Sequence, residues 1–153
     1  MRFQGFPEGF DRAAALVDAG TEALAVFGDG AIVKTAQGRG VSPLLALVDA
    51  ETDAKTLRGA AVADRVIGKA AAMLLVYAGA TAVYGAIMSE AGQYYLLAHG
   101  VTASYGKLVP RIANRSRDGM CPVEQAVLDE NNPGAGIEKI RAELERMQRA
   151  NRK

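Results

Sequence analysis

Apolar residues in this chain come in short blocks punctuated by glycine, and the densest blocks lie between Gly59 and Met88. The run Ala60–Ala63 is bounded by Gly59 and Asp64, which suits a strand covered on both faces. Asp64 then reads as an N-cap, its carboxylate accepting from the first free N–H groups of a helix. Val66–Ala78 lacks proline and is dominated by Ala, Leu and Met, so it predicts a helix. That helix is apolar nearly all round, hence buried, and Gly79 closes it. Thr81–Met88 carries β-branched and aromatic residues, as a central strand does. No residue from Ala70 to Met88 is charged, and a run of roughly that length can span a bilayer. Gly79, Gly85 and the change from helix formers to strand formers favour a buried helix followed by a buried strand.

The flanking pattern extends the alternation. Met1–Phe10 reads as a loose lead-in, and Asp11–Ala19 as a short helix capped by Asp11 and closed by Gly20. Leu24–Phe27 and Ala31–Lys34 flank Gly28-Asp29-Gly30, which predicts a β-hairpin. Ser42-Pro43 starts a helix through Ala50, with Ser42 as cap and Pro43 in the first turn. Glu51–Arg58 reads as a polar loop. Ser89 caps a helix Glu90–His99 ended by Gly100, and Val101–Tyr105 is a further strand. Lys107–Arg117 reads as a basic loop. Cys121-Pro122 opens a helix through Leu128, and Asn131–Gly134 is a break. A last amphipathic helix, within 136–153, places Ile137, Ile140, Leu144 and Met147 on one stripe. A hairpin followed by alternating helices and strands predicts one domain over 1–153, an α/β fold built as a three-layer α/β/α sandwich.

Composition narrows the function. Half of the 153 residues are apolar and the net charge is +1, which points to neither disorder nor a strong polyanion partner. The N-terminus lacks the apolar core of a signal peptide, so a cytoplasmic protein without a membrane partner is expected. The single cysteine excludes an internal disulfide. Basic residues at 107–117 and at the C-terminus have no aromatic stacking platform beside them, so nucleic acid is not an expected partner.

Zinc needs three or four ligands, and the chain has one histidine and one cysteine. No metal and no cofactor is expected. His99, at a helix end, complements the helix dipole. Lys69 is the sole charge within an apolar helix and lies near its start, where it opposes the dipole. It either holds an anion beside the free N–H groups, pairs with Asp64, or snorkels to solvent. Cys121 precedes a helix-starting proline, where a thiol tends toward thiolate, or it is a small buried residue capping a turn. Glu124 fits a capping box with Cys121 or an acid/base role. Gly38-Arg39-Gly40 is either an anion-binding loop or a turn.

Three segments resemble a family of uncharacterised bacterial and archaeal proteins defined only as a domain of unknown function. They are Gly38-Arg39-Gly40-Val41-x-Pro43-Leu44-Leu45, Gly59-x-x-Val62-Ala63-Asp64-Arg65-Val66-Ile67-Gly68-Lys69-Ala70-Ala71-Ala72, and Asn114-Arg115 with Gly119-x-Cys121-Pro122-x-Glu124-x-Ala126-Val127. The similarity covers about residues 20–130. It implies a cytidine-deaminase-like fold, a mixed sheet of about five strands between helical layers. Deaminases hold zinc with a His or Cys before Ala-Glu at one helix start and Pro-Cys-x-x-Cys at the next. The starts expected to correspond, Val66–Lys69 and Met88–Glu90, offer none of these ligands. The resemblance therefore implies a ligand cleft kept without its metal.

Two functions follow. The first is binding of a small anionic ligand, nucleotide-like or otherwise, near Asp64 and Lys69, with Arg39, Gly40, Gly68, Lys69 and Ser89 as binding residues. The second is a metal-free transferase-type enzyme in which Cys121 is nucleophile or carrier, Lys69 and Arg39 hold the substrate, and Asp64 or Glu124 handles protons. A non-catalytic, homo-oligomeric or regulatory module is a third reading, with the final helix as its contact.

Overall fold

The computed structural model describes residues 3–151, without the side chains at 51–53. The elements in chain order are α1 (Asp11–Asp18), β1 (Leu24–Gly28), β2 (Ala31–Ala36), α2 (Ser42–Asp49), α3 (Glu51–Leu57), β3 (Ala61–Ile67) and α4 (Lys69–Ala78). They continue with β4 (Ala82–Ser89), α5 (Glu90–Ala98), β5 (Thr102–Val109), α6 (Pro122–Ala126) and α7 (Pro133–Asn151). One mixed five-stranded sheet has the order β2-β1-β3-β4-β5. β1 is antiparallel to both β2 and β3, while β3, β4 and β5 run parallel. The sheet is open and carries helices on both faces, as the α/β reading requires.

Strand alternation sorts the core into two layers. Leu24, Val26, Val62 and Val83 join the larger cluster with α4, α5 and α7. Ala25, Phe27, Ala61, Ala63, Ala82 and Tyr84 face the other way, toward α1. Small alanines on this second face let α1 approach closely, and its Ala13, Ala14 and Val17 are buried there. Residues 3–10 depart from the expected loose lead-in: Phe3 stacks edge-on to Tyr84 at 5.4 Å and Phe10 to Phe27 at 6.1 Å. Aromatic area drives this docking. Met1, Arg2, Arg152 and Lys153 lie outside the described residues.

The uncharged run Ala70–Met88 divides into α4 and β4, as expected. No helix among the described residues is long and apolar enough to cross a membrane. α4 is buried from Lys69 through Leu75, and at about 1.5–3 kcal/mol for each fully buried leucine its stability comes from packing. Gly79 ends it in the left-handed region at φ 85°, its N–H reaching back to Leu75 and Val76 carbonyls.

Other expectations are corrected. Asp64 is not a helix cap. β3 continues through Ile67 because Asp64 pairs with Leu24 on one side and Gly85 on the other. Glu51–Arg58 is mostly helix α3, drawn in by Leu57, which is fully buried. Lys107 lies in β5, which runs on to Val109 alongside β4. Ser42 is the first residue of α2 rather than its cap, and Asp11 likewise follows the cap position of α1. The last helix starts at Pro133, and the stripe Ile137, Ile140, Leu144 and Met147 docks on the main core.

Candidate functional site

The residues singled out in the sequence gather along the carboxyl edge of the parallel strands, where open α/β sheets bind ligands. They form two groups rather than one.

The first group ties α6 to the start of α4. The Glu124 carboxylate, buried at 8 % exposure, accepts from the backbone N–H of Lys69 at 2.7 Å and of Ala70 at 2.8 Å. It is the N-cap of α4, supplied from across the fold. Gly68 permits this approach, since a Cβ there would collide with the carboxylate. The expected capping box with Cys121 does not form, because both Glu124 oxygens are engaged on α4. Burial pushes the Glu124 pKa up, opposed by the two backbone donors and the Lys69 charge. Lys69 neither snorkels nor turns to Asp64. Its ammonium donates to the Leu128 carbonyl at 2.9 Å and to Asn131 Oδ1 at 3.2 Å, and its exposure is 8 %. The helix start thus receives an internal anion, and its cation is spent on the α6–α7 connection.

Ser89 also acts locally. Its hydroxyl accepts from Gly92 N–H at 3.0 Å and caps α5 as expected. Gly92 in turn lies against the backbone of Ile67 and Gly68, with room for no side chain. Cys121 occupies the N-cap position of the five-residue α6, with no side-chain cap bond. Its N–H donates to the Ile112 carbonyl at 2.9 Å, and its side chain is partly buried against the main core.

The second group lines an open groove of about 220 Å³ formed by Ala23, Gly38, Arg39, Gly40, Asp64, Arg65 and Val66. Gly38 and Gly40 have φ of 128° and 62°, so the Gly-Arg-Gly segment is a turn that only glycine makes cheaply. That turn brings Arg39 to the end of β3. Asp64 sits on the wall, 7 % exposed, with Oδ1 accepting from Val66 N–H at 3.2 Å. Burial raises its pKa to about 7, against the lowering effects of the Val66 and Arg65 N–H groups and the Arg65 charge. Arg39 and Arg65 are exposed. Arg65 was not singled out in the sequence, although it directly follows Asp64 in the second resembling segment.

A larger depression of about 300 Å³ lies at the opposite edge, between the β1–β2 turn and the end of α3. Its charged residues Asp29, Lys55 and Arg58 are all exposed, and it contains no buried titratable group. Among the described residues no group of three or more His, Cys, Asp or Glu is placed to hold a metal.

Fold and edge groove together define an open mixed-sheet α/β protein with a small cleft lined by charged and apolar groups. The chain belongs to the family of the domain of unknown function DUF1893, whose model matches residues 12–144. A crystal structure of the DUF1893 family protein TM1506 from Thermotoga maritima is similar over 89 % of this chain and 90 % of that one. The two share 21 % identity with a TM-score of 0.78, a likeness of fold. No curated protein matches the chain.

Proposed function

We propose that this protein binds a small anionic ligand in the groove at the end of β3. The anionic group lies between Arg39 and Arg65, and Asp64 takes a hydrogen bond from, or gives its proton to, a neighbouring polar group. The observation that carries this reading is a buried carboxyl on the wall of an open groove that two exposed arginines also line. A carboxyl placed there costs stability when ionised, and such costs are commonly retained at functional sites. The volume suits a phosphorylated sugar, a small carboxylate or one end of a nucleotide. The cytidine-deaminase-like fold that the family resemblance implies would be compatible with a cleft kept without zinc.

Arg39 lines the groove, whereas the Lys69 ammonium is engaged on the α6–α7 connection, which favours Arg39 over Lys69 as the ligand's contact. Lys69 and Glu124 satisfy each other's elements, which supports a structural role for both. Gly68 and Ser89 support the same helix starts. A pKa near neutrality favours Asp64 as the proton-handling group of any reaction here. Cys121 is not among the residues lining the groove, so the transferase reading through that thiol has less support.

The test is a thermal-shift and calorimetric screen against nucleotides, nucleosides, phosphorylated sugars and carboxylates. Ligand at about 100 times its dissociation constant should add about 2.7 kcal/mol of apparent stability. The expected hit is lost in Arg39→Ala, weakened in Asp64→Asn and retained in Lys69→Met. A hit retained in Arg39→Ala and Asp64→Asn would refute the groove.

A further inference from the structure

The groove at the end of β3 is lined by one acidic residue, Asp64, and its other charged residues are Arg39 and Arg65. The two Asp64 oxygens are placed differently. Oδ1 accepts from the Val66 N–H at 3.2 Å. Oδ2 has no hydrogen-bond partner within the chain, and the Arg65 N–H is committed to the Ala23 carbonyl at 3.0 Å. Among the described residues no fully buried side-chain oxygen lacks a partner, so Oδ2 keeps contact with the open groove. Oδ1 is held as an acceptor. The neutral acid therefore carries its hydrogen on Oδ2, where it can be donated into the groove.

Little around Asp64 compensates its charge. β1 places Leu24 and β4 places Gly85 at the paired positions, and neither is charged. Val62, two positions earlier on the same face, belongs to the apolar main core. Among the described residues neither arginine forms an ion pair with Asp64. Both are exposed, and Arg65 supplies the charge that opposes the effect of burial. No histidine, lysine or second carboxyl lines the groove. An anion drawn in by the arginines therefore meets this carboxyl at the wall. Ionised, Asp64 repels it in a partly desolvated site. Protonated, Asp64 removes that repulsion and offers a short, charge-assisted O–H···O⁻ bond.

We infer that Asp64 binds the anion as a hydrogen-bond donor, so that the groove takes up a proton on Oδ2 when a fully ionised oxyanion enters it. The inference rests on the ligand reading above and names the chemistry that the site selects. The group beside Asp64 is a sulfate-like or phosphate-like oxyanion that offers only acceptor oxygens, not an ammonium or a hydroxyl that must itself donate. Burial already leaves Asp64 about half protonated near pH 7. Below that pH the proton is in place before the ligand arrives, and above it each binding event draws one from solvent. Affinity is therefore level in mild acid and falls by up to about tenfold per pH unit above neutrality. The arginines stay charged throughout, so this dependence belongs to Asp64.

The test is an NMR titration of the full chain with sodium sulfate, which stays fully ionised across the range, at ionic strength held constant with chloride. The Gly40, Arg65 and Val66 amides report binding. Wild-type affinity should fall at least about tenfold between about pH 6.5 and about pH 8.5. Asp64→Asn should bind more weakly than wild type at the lower pH and change by less than about twofold across the range, because its amide donates without titrating. Arg39→Ala should not bind. The Asp64 carboxyl carbon resonance of the wild type gives a second reading that needs no variant: its titration should move at least about one pH unit upward with sulfate bound. Sulfate binding that is lost in Arg39→Ala yet independent of pH, or a pH dependence that persists in Asp64→Asn, would overturn the proton uptake and leave the groove standing. Sulfate that moves none of these amides at any pH, or binds Arg39→Ala as well as wild type, would overturn the groove and the inference together.

Discussion

Asp64→Asn should stabilise this protein at alkaline pH. The Asp64 carboxyl titrates at about 7 in the folded chain against 3.8 for the ordinary group, because burial disfavours its charge. Between those values the folded state holds a proton that the unfolded state has released. Stability therefore falls as pH rises through that window, the reverse of a salt-bridged carboxylate. At about 1.4 kcal/mol per pH unit the interval corresponds to roughly 4 kcal/mol lost by pH 8. Asparagine keeps an oxygen for the Val66 N–H, made at 3.2 Å, and has no charge to desolvate. The variant should match wild type near pH 4 and exceed it at pH 8 by about 2–4 kcal/mol. For a domain of this size that is roughly 5–15 °C in melting temperature. Urea unfolding of both proteins at intervals from pH 4 to pH 8 measures it. Parallel stability profiles, or a variant weaker than wild type at pH 8, would refute the reasoning. A gain in stability with loss of ligand binding is the pattern expected of a carboxyl kept for function.

Three further outcomes follow from the α4–α6 tie. Glu124→Ala orphans two buried backbone donors and should cost about 3 kcal/mol in denaturant unfolding, with Glu124→Gln intermediate. Lys69→Met removes the donor to the Leu128 carbonyl and Asn131; a loss of about 1–3 kcal/mol with ligand binding intact is expected from unfolding and calorimetry run together. Gly68→Ala places a methyl against the Glu124 carboxylate at the N-cap position of α4, where alanine is also the poorer residue, and should destabilise by about 1–3 kcal/mol, as thermal melts will read. Arg39→Ala, an exposed change, should alter stability by less than about 0.5 kcal/mol while abolishing binding.

What the sequence determined by itself was the local grammar. The hairpin about Gly28-Asp29-Gly30, the stop at Gly79, the Ser89 cap and the docking stripe of α7 each rest on groups within a turn or two of one another. Such signals are complete in a short window. The apolar run Ala60–Ala63 likewise announced a strand with two buried faces, Val62 packing on one and Ala61 and Ala63 on the other. What tertiary structure alone decided was whatever depends on a distant partner. Asp64 belongs to a strand because β1 and β4 pair with it, which outweighs its aptitude as a cap. The cap of α4 is Glu124, 55 and 54 positions from the N–H groups it accepts, and no pattern near Lys69 reveals it. The chemically prominent residues consequently divide: Lys69, Glu124 and Ser89 hold helix starts, and Arg39 and Asp64 share a groove with the overlooked Arg65. Hydrogen-bonding groups must be satisfied wherever a partner can reach them, and only the folded chain sets which partners those are.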